Sequence, residues 1–268
     1  MRLRQLEKVI LYDENAAGMV NLEEIADYLR EKLGAVPSVE IRGNPFSPYL
    51  ARSADFARKL AAVKIHDVTR RMISETVPLY GEIQYEERKI LGKTRAFGVL
   101  YDGFRLLRVF AELIPPNERG LDLVHIFLTN RLVVTWAEDQ RYHARTSVYG
   151  LPSIISTTGL VEAPAKPREY YLLKQQYELL GKDILELNER FKGRCLGCED
   201  SRLTPAVKGY VMQAVFYALS GDPFCQDKGC KLYNAHWQEE LIFAQLESHN
   251  EFCQRHAELL ADWRQNQE

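Results

Sequence analysis

Residues 121–129, LDLVHIFLT, form an almost unbroken apolar run of strand length, rich in aliphatic and aromatic side chains. A run of this kind predicts a strand covered on both faces, as inner strands of parallel sheets are, and not one half of a solvated hairpin. The flanking sequence agrees. KVILY at 8–12 is a second short apolar run, closed by the polar DEN. Asn21 stands where an N-cap would, with Glu24 three residues on, and Leu22, Ile25, Ala26, Leu29 and Leu33 follow at helical spacing before Gly34. VEIR at 39–42 reads as another strand, and GNPFSP breaks the chain before an alanine-rich helix over about 50–65. AFGVLY at 96–101 reads as a further inner strand, with shorter ones at 133–136, 147–149 and 153–157 and a turn at Gly150 and Pro152. Strand and helix in alternation predict an α/β (α+β) fold, a mixed and largely parallel sheet with covering helices in residues 1–160.

From Pro167 the pattern changes to three helices, over about 168–192, 203–220 and 237–262, separated by loops bearing cysteine and glycine. LVEAPAKP at 160–167 divides the sheet half from a helical half, 161–268, and the two are expected to integrate into one domain. Thirty-five Lys and Arg against thirty-seven Asp and Glu leave no basic footprint, which argues against nucleic acid as a partner. No stretch approaches the ~20 apolar residues of a spanning helix, and VILY is too short for a secretory signal core. The expectation is therefore a cytoplasmic protein with no membrane partner. Five cysteines, an odd number, argue against a secreted disulfide framework and favour free thiols or metal ligands.

The cysteines cluster toward the carboxyl end. Ile242, Leu246, His249, Cys253, His256, Leu260 and Trp263 alternate in steps of four and three, the stripe of one inward helix face. Cys253 and His256 sit at i and i+3 on it. Upstream, Cys225 and Cys230 bracket the loop CQDKGC, where Gly229 is free to take unusual backbone angles. Cys225, Cys230, Cys253 and His256 together offer three thiolates and one imidazole, the donor set of a closed structural zinc site. A rival set joins Cys195 and Cys198 of CLGC to Cys225 and Cys230, and His249 is the substitute for His256. A buried core cysteine and histidine remain the bland alternative.

Elsewhere the signals are weaker. His125 lies inside an apolar strand, where histidines are commonly hydrogen-bonded core residues, and His66 has no recognisable partner. Arg141, His143 and Arg145 alternate along RYHAR and offer donors for a carboxylate or phosphate, against the simpler reading of a solvated strand face. His236, with Glu239 and Glu240 after it, is a second-metal candidate or an ordinary acidic first turn of a helix. Ser156, Thr157 and Thr158 lack a base at fixed spacing, and no glycine-rich phosphate loop occurs.

GYVMQAVFYALSGDPFCQDKGCKLYNAHWQEE at 209–240 resembles the zinc helix and cysteine loop of archaemetzincins, metallopeptidases of the metzincin group. Their signature is H-E-x-x-H-x-x-G-x-x-H followed at once by C-x4-C, a methionine turn and C-x-x-C. Cys225 and Cys230 match the first cysteine pair, Leu232 takes the place of the methionine, and Cys253 with His256 matches the closing pair, His replacing Cys. LVHIFLT, RYHAR, GLPSIISTTGLV and PREYYLLKQ also resemble an archaeal family described as metallopeptidases. The resemblance implies a metzincin-like fold and a structural zinc on the second cysteine cluster. It departs at the catalytic ligands. The two helix histidines fall on Ala214 and Ala218, the glutamate on Val215 and the third histidine on Phe224, while Gly221 keeps the motif's glycine. No HExxH occurs in the chain, so no imidazole remains there for a catalytic zinc and no carboxylate to take a proton from water. The expectation is a metzincin-like metallopeptidase whose catalytic centre has degenerated, binding a peptide or protein segment by strand addition near 147–158. The alternative is a non-enzymatic protein whose zinc is only a folding clamp.

Overall fold

The computed structural model describes residues 3–14, 18–74, 77–93 and 98–266. In chain order the elements are β1 (Lys8–Glu14), α1 (Leu22–Leu33), β2 (Ser38–Arg42), α2 (Ser53–Ala62), β3 (Lys64–Ile65), α3 (Tyr80–Ile90), β4 (Leu100–Asp102) and α4 (Gly103–Ala111). Then follow β5 (Leu123–Thr129), β6 (Leu132–Trp136), β7 (Tyr142–Arg145), β8 (Ser147–Val148), β9 (Ser153–Ser156) and α5 (Thr157–Glu162). The remainder is helical: α6 (Arg168–Leu179), α7 (Ile184–Arg190), α8 (Leu203–Ser220), α9 (Gln238–Ile242) and α10 (Gln254–Gln265). This is the mixed α/β architecture that the alternation of patterns implied.

Two sheets take the place of the one expected. The larger has the order β2-β1-β5-β9-β8, parallel except for the β8–β9 pair; the smaller has the order β3-β4-β6-β7. The chain passes from one sheet to the other four times, after β2, β4, β5 and β7, and the last two passages are tight corners. Asn130 and Arg131 join β5 to β6, and Thr146 joins β7 to β8. Short strands on either side of these corners are locally indistinguishable from members of a single sheet, which is why the sequence does not separate them.

β5 explains its own composition. Val124, Ile126 and Leu128 enter a core shared with α1 and α8, whereas Phe127 enters a second core with Phe56 of α2 and Phe110 of α4. β1 divides in the same way, with Val9 and Leu11 to one side and Ile10 and Tyr12 to the other. Both strands are therefore apolar on both faces because helices cover both faces. The first core joins residues of the sheet half to Leu203–Leu219, Leu232, Leu241, Leu260 and Trp263 of the helical half. α1 begins where the sequence places it: the Asn21 side chain accepts from the Glu24 amide at 3.2 Å, and Gly34 ends the helix at φ +86°.

Several helices differ from their expected bounds. The alanine-rich segment is a 3-10 turn at Ser47–Arg52 followed by α2, and the long helix expected over 168–192 is split into α6 and α7 by Gly181 at φ +63°. α3 and α4 were not anticipated. Of the strand expected at 96–101, residues 96 and 97 lie outside the described residues, and pairing begins at Leu100. The last helix is the largest correction. Five residues after α9 form a wider π turn, Ser248 turns extended at ψ 134°, and α10 starts only after Cys253. The apolar stripe fails there: His249 is exposed and Leu246 only half-buried. The broken stretch is held by the loop before it, through Ser248 Oγ donating to the Gly229 carbonyl and the Lys231 amide donating to Glu251.

Candidate metal centre

α8 delivers the chain to the site. Fourteen of its eighteen residues are buried, and the Gly221 amide returns to the Tyr217 carbonyl at 2.8 Å while Gly221 itself takes φ +81°. A left-handed glycine of this kind satisfies the last carbonyls and turns the chain sharply. Cys225 follows at once, its amide donating to Leu232 across a narrow loop. Within the loop the Gly229 amide donates to Asp227 Oδ1, and the Asp227 amide points at the Cys225 sulfur at 3.3 Å. Gly229 does not use the left-handed region expected of it. A side chain there would meet Ser248 Oγ at 3.1 Å, so close packing is its observed constraint.

Cys253 and His256 approach from the other side. Because the helix is broken, Cys253 is the N-cap of α10 and His256 lies in its first turn, with the His256 amide donating to the Cys253 carbonyl at 3.0 Å. The contact that the sequence attributes to a helix face arises at a helix start. Cys225 Sγ lies 3.7 Å from Cys253 Sγ, and His256 Nδ1 lies 3.1 Å from Cys253 Sγ and 3.9 Å from Cys230 Sγ. All four ligand atoms fall within 4.8 Å of one another. A tetrahedral zinc with metal–sulfur bonds of about 2.3 Å and a metal–nitrogen bond of about 2.0 Å separates sulfurs by about 3.8 Å and sulfur from nitrogen by about 3.5 Å. The donor set and its spacing fit zinc. Bound there, zinc would link four side chains and keep no open coordination position, the arrangement of a structural site.

Burial tunes the donors. Cys230 is completely buried and its thiol is pushed up to about 12, while the Cys225 thiol is also raised by burial. Two backbone amides, of Leu232 and Cys253, point toward the Cys230 sulfur and oppose that rise. His256 is lowered, first by burial and then by Arg255. Its ring stands edge-on to Phe216 of α8 at 5.4 Å, which packs the candidate centre against the helix.

The other sequence candidates lie apart. Among the described residues no other three His, Cys, Asp or Glu side chains converge in this way. Cys195 belongs to a small cluster with Tyr170, Tyr177, Leu187 and Phe191, whereas Cys198 packs against the main core, and neither joins Cys225 and Cys230. His249 is exposed and does not substitute for His256. His236 is exposed too, with its amide capped by Glu240 at 3.1 Å. Arg141, His143 and Arg145 do alternate along the edge strand β7. His143 is engaged by Asp139 at 2.8 Å, however, and Arg145 donates to Thr135 Oγ1 at 2.7 Å, so two of the three have partners of their own. The proposed docking segment is also mostly interior: β9 is paired on both sides, by β5 and β8, which leaves only Ser147–Val148 at the sheet edge.

The positions to which the archaemetzincin resemblance assigns catalytic ligands hold apolar side chains. Ala214 and Val215 are wholly buried in the main core, and Ala218 is 4% exposed. Beside them the Tyr149 hydroxyl donates to Gln213 Oε1 at 2.5 Å, and its ring packs near Tyr217 and Phe224 with centroids 6.2 and 5.9 Å away. Gln213 in turn donates to the carbonyls of Lys231 and Tyr233. Sequence reading missed this group, because a tyrosine after a short strand carries no signal of what it will cover.

A sequence profile of the family described as "Probable metallopeptidase family (DUF6775)" matches residues 5–263. No curated protein matches the chain. Among solved structures, a zinc-dependent peptidase from Methanocorpusculum labreanum (strain Z) aligns at 12% identity and a TM-score of 0.40, covering 94% of this chain and 98% of its own.

Proposed function

The chain belongs to the metallopeptidase-like family whose profile spans residues 5–263, and from that premise we propose that it is a metzincin-type member that holds a structural zinc and has lost the peptidase centre. Cys225, Cys230, Cys253 and His256 would carry the metal. The observation that carries the reading is the apolar identity of the four positions that the archaemetzincin motif gives to catalysis, three of them buried and Phe224 partly exposed. Ala214, Val215 and Ala218 are apolar and buried, and Phe224 packs near Tyr149. None of these side chains has a lone pair for a metal or a proton-accepting oxygen for water activation. A peptide or protein segment would be held at the open edge of β8, by main-chain hydrogen bonds of strand addition.

A second reading, a protein whose zinc serves only as a folding clamp, is favoured by a different observation. The two residues of β8 are a short edge, and Tyr149 directly after them fills the space beside α8.

Elemental analysis and a peptide-cleavage assay test the proposal. The expected result is one zinc per chain and no cleavage sensitive to chelators. Robust chelator-sensitive proteolysis by the purified chain would refute degeneration. Binding of extended peptides in a fluorescence-anisotropy assay, abolished by Val148→Pro, would separate the first reading from the second.

A further inference from the structure

The four candidate ligands are not equivalent. Cys230 is completely buried, with His256 Nδ1 3.9 Å from its sulfur. Cys253 is the half-exposed sulfur, placed where the chain is neither α9 nor α10 but the irregular stretch between them. The Cys225 sulfur lies 3.7 Å from it, 28 residues earlier in a loop that is likewise irregular. Closing a sulfur pair from 3.7 Å to the roughly 2.05 Å of a disulfide needs a shift of under about 2 Å. Neither cysteine lies inside a helix or strand that would resist it.

We propose that Cys225 and Cys253 form an oxidation site, a dithiol that a peroxide converts to a disulfide, dismantling the metal centre. This rests on the zinc reading for its functional consequence, though not for the identity of the pair. Of the three cysteines Cys253 is the least buried, so a peroxide reaches its sulfur first. The Cys253 thiolate attacks one oxygen of hydrogen peroxide; the O–O bond breaks, hydroxide leaves and a sulfenic acid remains on Cys253. The Cys225 thiolate then attacks that sulfur, the S–O bond breaks and a second hydroxide leaves. Two thiolates have lost two electrons in total, and the peroxide has gained them. Cys230 and His256 alone are left as donors, too few for a closed tetrahedral site.

Trypsin separates the three sulfurs cleanly: Cys225 falls in peptide 209–228, Cys230 in 229–231 and Cys253 in 232–255. The full chain, zinc-loaded and metal-free, is treated with a few equivalents of hydrogen peroxide in the presence of a chromophoric zinc chelator, then alkylated and digested. Expected are release of one equivalent of zinc, a mass loss of about 2 Da per chain, peptide 209–228 joined to 232–255, and peptide 229–231 alkylated. Zinc release accompanied by a bridge to 229–231, by sulfinic acid alone, or by no bridge overturns the proposed pair. A chain that takes up no zinc at all refutes the metal reading instead. The same digest of that metal-free protein then still decides the pair: 209–228 joined to 232–255 upholds it, and any other pairing overturns it. Cys195→Ser and Cys198→Ser leave the expected bridge unchanged.

Discussion

At the residue scale the two histidines buried in this protein act differently. His125 has a fixed tautomer: its Nε2 lies 2.7 Å from the Glu118 carbonyl, which can only accept, so Nε2 carries the proton. Nδ1 is left to accept from the Tyr12 hydroxyl at 3.1 Å, and that hydroxyl accepts in turn from Arg42, which is also paired with the Glu118 and Glu40 carboxylates. Burial lowers the His125 pKa, outweighing the pull of Glu118, while Arg42 lowers it further. A histidine whose folded value lies below its unfolded one, near 6.5, stabilises the fold fully above that pH and loses the contribution as pH falls through the folded value. Urea denaturation at pH 7.5 and 5.5 should therefore show His125→Gln losing less stability on acidification than the wild type. An equal loss in both would remove His125 as the cause. Cys253→Ala should lower stability by several kcal/mol in the zinc-loaded protein, far more than Cys195→Ala, because metal affinity is converted into folding free energy. Melting curves with and without chelator check this, since chelation should abolish most of the difference. The four candidate ligands were legible in the sequence as a donor set, because Cys and His carry the same chemistry in any context. Tyr149 was not, and neither was Gln213, for their roles depend on what the fold brings against them.

At the element scale the corner between β5 and β6 is the position most sensitive to change. Arg131 is completely buried, at 3.1 Å from Glu14 of β1 and 2.5 Å from Glu86 of α3, and Glu86 also receives Lys64 of β3 at 2.8 Å. The group ties the larger sheet to the smaller and to a covering helix. Removing one partner of a buried ion pair leaves the other desolvated, at about 3–5 kcal/mol. Arg131→Met should accordingly destabilise by that order in urea titrations, whereas Lys174→Met, which removes an exposed 3.8 Å pair with Glu178, should change stability by under about 1 kcal/mol. α8 supplies a second test. Val215→Glu restores the residue type that the archaemetzincin motif has there, but sets an unpaired carboxylate where nothing is exposed. A loss of about 3 kcal/mol or more is expected, and a neutral outcome would mean that an open cleft exists beside the helix. α8 itself was read correctly at 203–220, because a helix buried all round announces itself by composition. The break before Cys253 was not, since its residues keep the spacing of a helix while their backbone groups serve the neighbouring cysteine loop.

For the whole molecule, the candidate centre and the sheet share one apolar core, so loss of metal should be felt unevenly. Hydrogen exchange after chelation should rise most over residues 222–256, with less change in β1 and β5 at the centre of the sheet. α1 should respond in between, because Glu251 from the broken stretch is paired with Lys32 of that helix as well as with Lys231. Uniform acceleration would indicate instead that zinc is required for the entire fold. The general architecture was visible from the alternation of strands and helices, but the existence of two sheets was not, because short-range pattern does not report which neighbour a strand chooses. That the chain crosses between the sheets four times, twice through the tight corners at Asn130–Arg131 and Thr146, has a mechanical consequence. Two laminae sewn together by four stitches cannot be peeled apart by pulling on one seam, so under tension in a single-molecule experiment they should yield in one rupture, not in successive steps.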